Sequence, residues 1–470
     1  MDLAGDGAEL VADGAGERCP DLRETPWWRP LRVARLDPLR GTDPLDRLAA
    51  DLLDAFRDQG HAVLDAAAPD LDVMLALLSV PPGPGPLRER VPERVPPLAL
   101  ALMREFGLPR RPDNLVVLLG VDEPLSGMPH QEVVETARTA MARIGAPKVV
   151  FVSGEGPDEV TYCTLEGGHP SDREAMATTL RDRLVAAACA REVGGRFEIA
   201  ADAIPHQAWE RTRVPEHLVA AGRRMHGLGL LPAPKRVAEY VSADTARTYE
   251  RFLGLKGYSE GMLFAVDPET GTTLVTASGS WNVDKRALRR DEVTPLGGMR
   301  DGHVQVLAPE GVRPKGPSVE AAEVLALLEA VPTVRVGRSA AGDWIPDPSG
   351  PVEVPIVRAG IHVHVGVTGA DPETVETVPA NRRLYPYGFC CGTDLMCELA
   401  QDVARRSRAM QDPDDPRAYV RWPMLYHGEM VVELWKPGVP ARTLQGVLDL
   451  FDPARRRAIR YTPDEVAQPV

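Results

Sequence analysis

The residues best equipped for chemistry fall between Arg358 and Glu433. In Gly360-Ile-His-Val-His-Val-Gly, apolar side chains and imidazoles alternate strictly. On a β-strand this spacing puts His362 and His364 on one face, and Ile361, Val363 and Val365 on the other. Neutral imidazole is a common ligand for zinc, iron and similar metals, and two rings on one face can reach a single cation. His427 and Glu429 stand just before another alternating stretch, Met430 to Trp435. The predicted ligand set for a divalent metal (Zn, Mn or Fe) is therefore His362, His364, His427 and Glu429. The plainer reading is a strand with two polar rings facing water and His427 at an exposed hairpin tip.

Two further groups carry chemistry. Cys390 and Cys391 precede a predicted helix whose cap is Gly392 or Thr393 and whose apolar stripe is Leu395, Met396, Leu399 and Val403. A thiol at a helix N-terminus meets unpaired N–H groups and the positive end of the dipole, which favour the thiolate. The same amides can hold an anion. Tyr387 and Asp394 sit in this turn as candidate substrate contacts. Cys397 reads as core, and the cysteine spacing is not that of a structural zinc site. The third group is the open end of a predicted hairpin, Met262–Val266 and Thr272–Ala277, joined by Asp267-Pro-Glu-Thr-Gly. Its geometry brings Glu260 beside Ser278, Ser280 and Lys285. Glu260 and Lys285 are candidate catalytic groups there, with Ser278 and Ser280 as substrate contacts; a solvated basic face is the alternative.

Elements able to position these groups follow from periodicity. Asp43 caps a helix with Leu45, Leu48, Leu52 and Phe56 on one face, ended by Gly60, and His61–Asp65 is a short strand. Helices are predicted over Leu98–Phe106 and Pro129–Ile144, with strands over Asn114–Val121 and Lys148–Ser153. Ser171 and Glu174 form a capping box for a helix to Arg191, and Ser318 caps Val319–Ala330. Strands alternating with amphipathic helices imply an α/β, doubly wound parallel sheet. An α+β region with antiparallel hairpins then follows. The predicted divisions are a leader (1–25), the α/β domain (26–165), a mainly helical linking segment (166–256) and the α+β domain (257–470). In doubly wound sheets ligands bind at the carboxyl ends of the strands, which here are Asp122, Glu123, Ser126 and Ser153–Gly156. There is no G-x-G-x-x-G and no Walker lysine, so no nucleotide cofactor is predicted.

Seven residues, Gly360 to Gly366, resemble a segment of carboxylate–amine ligases of the glutamate–cysteine ligase type. The residues after them do not continue the resemblance, and no role is carried over.

Bulk properties narrow the class. A formal charge of −14 argues against a nucleic-acid grip, and no apolar run has the length of a membrane span. The acidic N-terminus lacks the basic start of a secretory signal, and six cysteines show no disulfide framework, which together predict a cytoplasmic protein. The expected function is enzymatic, on a small-molecule substrate, with homo-oligomerisation left open. Metal-dependent isomerase, lyase or hydrolase chemistry leads. A metal-free cysteine enzyme and a non-catalytic metabolite-binding protein are the alternatives.

Overall fold

The computed structural model describes residues 21–36, 43–66, 68–112, 114–122, 130–153, 160–164, 171–172, 176–231, 233–367, 369–381, 383–385, 391–425, 427–458 and 467–468. Two sheets organise them. The first is built from β1 (Arg32–Arg35), α1 (Asp43–Asp58), β2 (Ala62–Leu64), β3 (Val73–Ser79), α2 (Leu98–Phe106), β4 (Leu115–Val121), α3 (His130–Ala140), β5 (Lys148–Ser153), β6 (Val160–Thr164) and β7 (Ser171–Asp172). The strand order is β2-β1-β3-β4-β5-β6-β7, with β1 to β5 parallel and β6 and β7 antiparallel. Strands β3 and β4 are apolar on both faces because helices cover both. Helix α1 and α4 (Met176–Cys189) pack on one face, and α2 and α3 on the other. The predicted mixed α/β architecture is observed.

The second sheet takes β8 (Phe197–Ile204), β9 (Met262–Asp267), β10 (Thr272–Thr276), β11 (Val293–Arg300), β12 (His303–Pro309), β13 (Val357–Val363), β14 (Val375–Thr377), β15 (Tyr419–Met424) and β16 (Gly428–Leu434). Its order is β14-β15-β16-β13-β9-β10-β11-β12-β8. One face is covered by α7 (Ala321–Glu329) and α8 (Asp394–Arg406), the other by α5 (Val214–Gly227). Helix α6 (Ala243–Leu253) lies apart, its Tyr249 hydroxyl donating to the Ala142 carbonyl beyond α3. Residues 166–256 are thus divided: α4 belongs to the first core, whereas β8 and α5 belong to the second. Ser171 lies in β7, and its side chain and Glu174, the two members of the predicted capping box, lie outside the described residues. Ser318 does not cap α7; its hydroxyl donates to Glu320, and α7 begins at Ala321.

The predicted hairpin forms as β9 and β10, and a second joins β15 to β16. Gly360 has no tolerance for a side chain, since a Cβ would lie 2.4 Å from the Phe264 ring packed across it. This close fit fixes β13 against β9 one turn of alternation before His362. Among the described residues no helix is long and apolar enough to cross a membrane.

Candidate metal centre

His362 pairs with Met262 of β9 and Met430 of β16, so its ring lies on the sheet face covered by α7 and α8. The turn that leads into α8 places Cys391 over the same face. Thr393 caps that helix by accepting from the Met396 amide at 3.3 Å, and Glu323 of α7 accepts from the Gly392 amide at 2.6 Å. Glu323 is buried, and burial followed by the nearby Glu320 charge raises its pKa to about 8, so it is largely protonated near neutrality. His427 comes from the tip between β15 and β16. Its neighbour Gly428 has φ of 128°, and a Cβ there would meet the Val363 carbonyl at 2.1 Å. Only glycine lets the tip fold so tightly over β13.

The three side chains converge. His362 Nε2 and His427 Nε2 are 3.1 Å apart, Cys391 Sγ lies 2.8 Å from His427 Nε2, and all three ligand atoms lie within 4.8 Å of one another. His362, Cys391 and His427 are 0%, 4% and 7% exposed, so water does not separate them. The rings of His362 and His427 stack at 4.8 Å with 7° between their planes. His362 Nδ1 is 3.2 Å from the Glu429 carbonyl oxygen, which can only accept. That nitrogen therefore carries the proton, and Nε2 turns a bare lone pair toward His427. Burial, then the neighbouring His364, lowers the His362 pKa to about 3, which keeps it neutral. A bare nitrogen facing a second nitrogen and a sulfur requires a proton or a cation between them. Two nitrogens on one tetrahedral zinc stand about 3.3 Å apart, so the imidazoles already have ligand spacing, and the thiol needs to recede by under about 1 Å.

His364, predicted as a second ligand, packs its ring 5.1 Å from that of His362 and 4.9 Å from that of His427 but is not among the three converging ligand groups. Its Nδ1–H donates to Glu260 Oε2 at 3.0 Å, and it lines a cleft beside the centre. Arg138 of α3 donates to the other Glu260 oxygen at 2.5 Å and to Glu135 at 3.1 Å, and Glu135 also holds Lys235 and accepts from the Tyr240 hydroxyl. Burial opposes the Arg138 charge, but Glu260, Tyr240 and Glu135 together keep its pKa above the ordinary value. The pair His364–Glu260 is thereby tethered to the first sheet's helix layer. No sequence pattern singled out Arg138; the available signal was an arginine three residues after Glu135 on a helix otherwise apolar toward its core.

Glu429, predicted as the carboxylate ligand, is on the wrong face. It pairs opposite Val363, and alternation sends its side chain to the α5 side of the sheet. There Arg421 donates to it at 2.7 Å and the Val367 amide at 3.2 Å. Lys285 is buried and donates to Ser259 at 3.0 Å; burial lowers its pKa to about 8, with Glu320 and Glu260 opposing. Ser278 caps the Gly279–Trp281 turn, and its hydroxyl lies 3.0 Å from that of Ser280, both on the cleft wall with Glu260. Asp394 is engaged by the Arg191 backbone at 2.8 Å and its guanidinium at 2.9 Å, which turns it from the centre. Cys390 and Tyr387 lie outside the described residues, as does the His130 side chain.

Two clefts border the centre, of about 420 and 440 Å³. Cys391 lines the first and His364 the second, and both share Arg110, Arg111, Glu192, Arg196 and Val319. The first is lined by Leu71, Asp72, Asn114 and Lys148, at the amino ends of β3, β4 and β5. The predicted ligand position at the carboxyl ends is on the opposite edge. There Asp122 is held by Arg90 at 2.8 Å, Glu123, Ser126 and 154–156 lie outside the described residues, and so does the Ser153 side chain. Comparison of the chain with family models, with curated proteins and with solved structures returns no match.

Proposed function

We propose that this protein is an enzyme in which His362, His427 and Cys391 hold a divalent metal and the His364–Glu260 pair transfers a proton to or from a small polar substrate. The observation that carries the reading is the bare His362 nitrogen, buried against His427 Nε2 and the Cys391 sulfur. Two imidazoles and a thiolate select zinc, or iron, over manganese, because sulfur is a soft donor. Three protein ligands leave a fourth position for substrate, the pattern of catalytic zinc sites. When bound, the metal supplies Lewis-acid polarisation of a substrate oxygen, giving isomerase, lyase or hydrolase chemistry.

The chain's own residues do the rest. Glu260 accepts the Nδ1 proton of His364, fixes its tautomer and leaves Nε2 as the base. Arg138 holds Glu260 in place so that the ring does not swing. A thiolate ligand needs a compartment that keeps cysteine reduced, and the reading places the protein in the cytoplasm. Elemental analysis of protein purified without added metal tests the proposal. About one zinc or iron per chain is expected, falling to near zero in His362→Ala and His427→Ala. A metal-free native protein that takes up none on incubation with Zn²⁺ would overturn it.

A second reading rests on the 2.8 Å contact between Cys391 Sγ and His427 Nε2. That contact also suits a metal-free thiol nucleophile with histidine as its base. Alkylation rate against pH separates the two readings. A thiolate titrating well below the reference value in metal-free protein, with no metal uptake, would favour the nucleophile.

A further inference from the structure

The first of the two clefts has an electrostatic character that the whole chain lacks, whereas the second sets Arg110, Arg111 and Arg196 against Glu192, Glu260 and Glu320. Over an acidic chain of −14, the first cleft is lined by six cationic residues, Arg29, Arg110, Arg111, Lys148, Arg191 and Arg196, against two acids, Asp72 and Glu192. Four of the six are occupied. Arg29 pairs with Asp72 at 2.8 Å, Arg191 with Asp394 at 2.9 Å, Arg110 with Glu192 at 3.9 Å, and Lys148 reaches the Asn114 side chain.

The remaining two, Arg111 and Arg196, make no side-chain hydrogen bond or ion pair with the described residues. They are also among the residues that line both clefts. A guanidinium presents a planar fork of donors matched to a carboxylate or a phosphate, and two on one wall form a clamp for an anion.

Resting on the metal reading above, we infer that the substrate is an anion whose acid group is taken by Arg111 and Arg196. Its reacting end then lies between the His364 wall of one cleft and the Cys391 wall of the other. The hydroxyls of Ser278 and Ser280 line the second cleft beside Trp281 and complete a polar and aromatic wall for the body of the molecule. Carboxylate and phosphate share this recognition chemistry, and a neutral metabolite does not satisfy it.

Calorimetric titration of the native full-length chain tests the inference, with succinate and inorganic phosphate as separate probes and neutral succinamide as control. Saturable binding of at least one anion is expected, and none of succinamide. The probe that binds identifies the acid group. In Arg111→Gln/Arg196→Gln, affinity should fall about tenfold or more, because two charge-assisted contacts are lost. The melting temperature without anion should stay as in the native protein, showing that the variant is folded. Binding by neither anion, or equal binding by the variant, would overturn the inference. Metal content measured on the same samples keeps the two ideas apart. Metal without anion binding removes this inference alone; anion binding without metal leaves it standing while the metal reading falls.

Discussion

His61 and His362 are both buried, one beside each sheet, and burial pushes both well below the ordinary imidazole pKa, to about 4 and about 3. Their surroundings differ in kind. His61 Nδ1 accepts from the Leu31 amide at 3.1 Å, so Nε2 carries the proton and donates to the Gln59 side chain at 3.1 Å. Each nitrogen has a complementary partner, and the ring fixes the chain between α1 and β2. His362 has one nitrogen served by a carbonyl, and the other faces two groups that are themselves potential ligands. Burial and a depressed pKa are common to both. What separates the two is the company of the inner nitrogen: a backbone amide for His61, and a second imidazole and a thiol, both metal-ligand types, for His362.

The two faces of β13 and β16 repeat the contrast. On the α5 face the Glu429 carboxylate meets Arg421, and Glu433 lies 3.4 Å from Arg358, opposite charges buried together. On the other face three neutral or weakly acidic donors, His362, His427 and Cys391, are gathered within ligand reach of one another. The largest expected effect therefore comes from the metal. Stripping it with a strong chelator should lower the urea midpoint of the native protein by an amount equivalent to about 4 kcal/mol when free metal had been a thousandfold above Kd. The same treatment should leave His362→Ala unmoved, and His61→Ala should respond as the native protein does.

Arg421→Ala is next. It takes the Arg421 guanidinium away from the buried Glu429 carboxylate, at a cost of about 3–5 kcal/mol, whereas Arg421→Met with Glu429→Leu should recover most of that loss. In both variants metal content should stay at the native value, since this face is separate from the centre. Loss of metal in a folded Arg421 variant would erase the distinction between the faces. Gly428→Ala should cost about 1–3 kcal/mol through backbone strain and lower metal affinity by shifting His427. A competition titration with a chromogenic chelator reads that shift directly.

Sequence alone made some of this legible. Alternation placed His362 on a strand and Ile361 and Val363 on its other face, and the hairpins and the helix after Cys391 were written in turn residues and a cap. Alternation also had the information to remove Glu429. That residue pairs with Val363 and so takes the face opposite His362, but the register between two strands so far apart in the sequence cannot be read from either strand. The parallel strand β3 was not anticipated because Val73-Met-Leu-Ala-Leu-Leu is buried on both faces and has no period, while Met, Leu and Ala are also good helix formers. Arg138 and the position of the clefts depend on how two sheets dock. Local spacing carries no record of that.

The smallest effect concerns His61 and its sign can be worked out. Folded, the ring stays neutral down to about pH 4; unfolded, it takes a proton below its ordinary value near 6.5. Below pH 6.5 the unfolded chain binds a proton that the native chain refuses, so stability falls on acidification through that window and is fully present above it. The slope approaches about 1.4 kcal/mol per pH unit for this one group. His61→Leu should lose about 1–3 kcal/mol at pH 7.5, because the Leu31 amide is left without its acceptor, and should show a shallower decline between pH 6 and 4.5. Urea unfolding at a series of pH values measures both. If the variant declined as steeply as the native protein, His61 would not be the neutral, fully partnered ring against which His362 stands out.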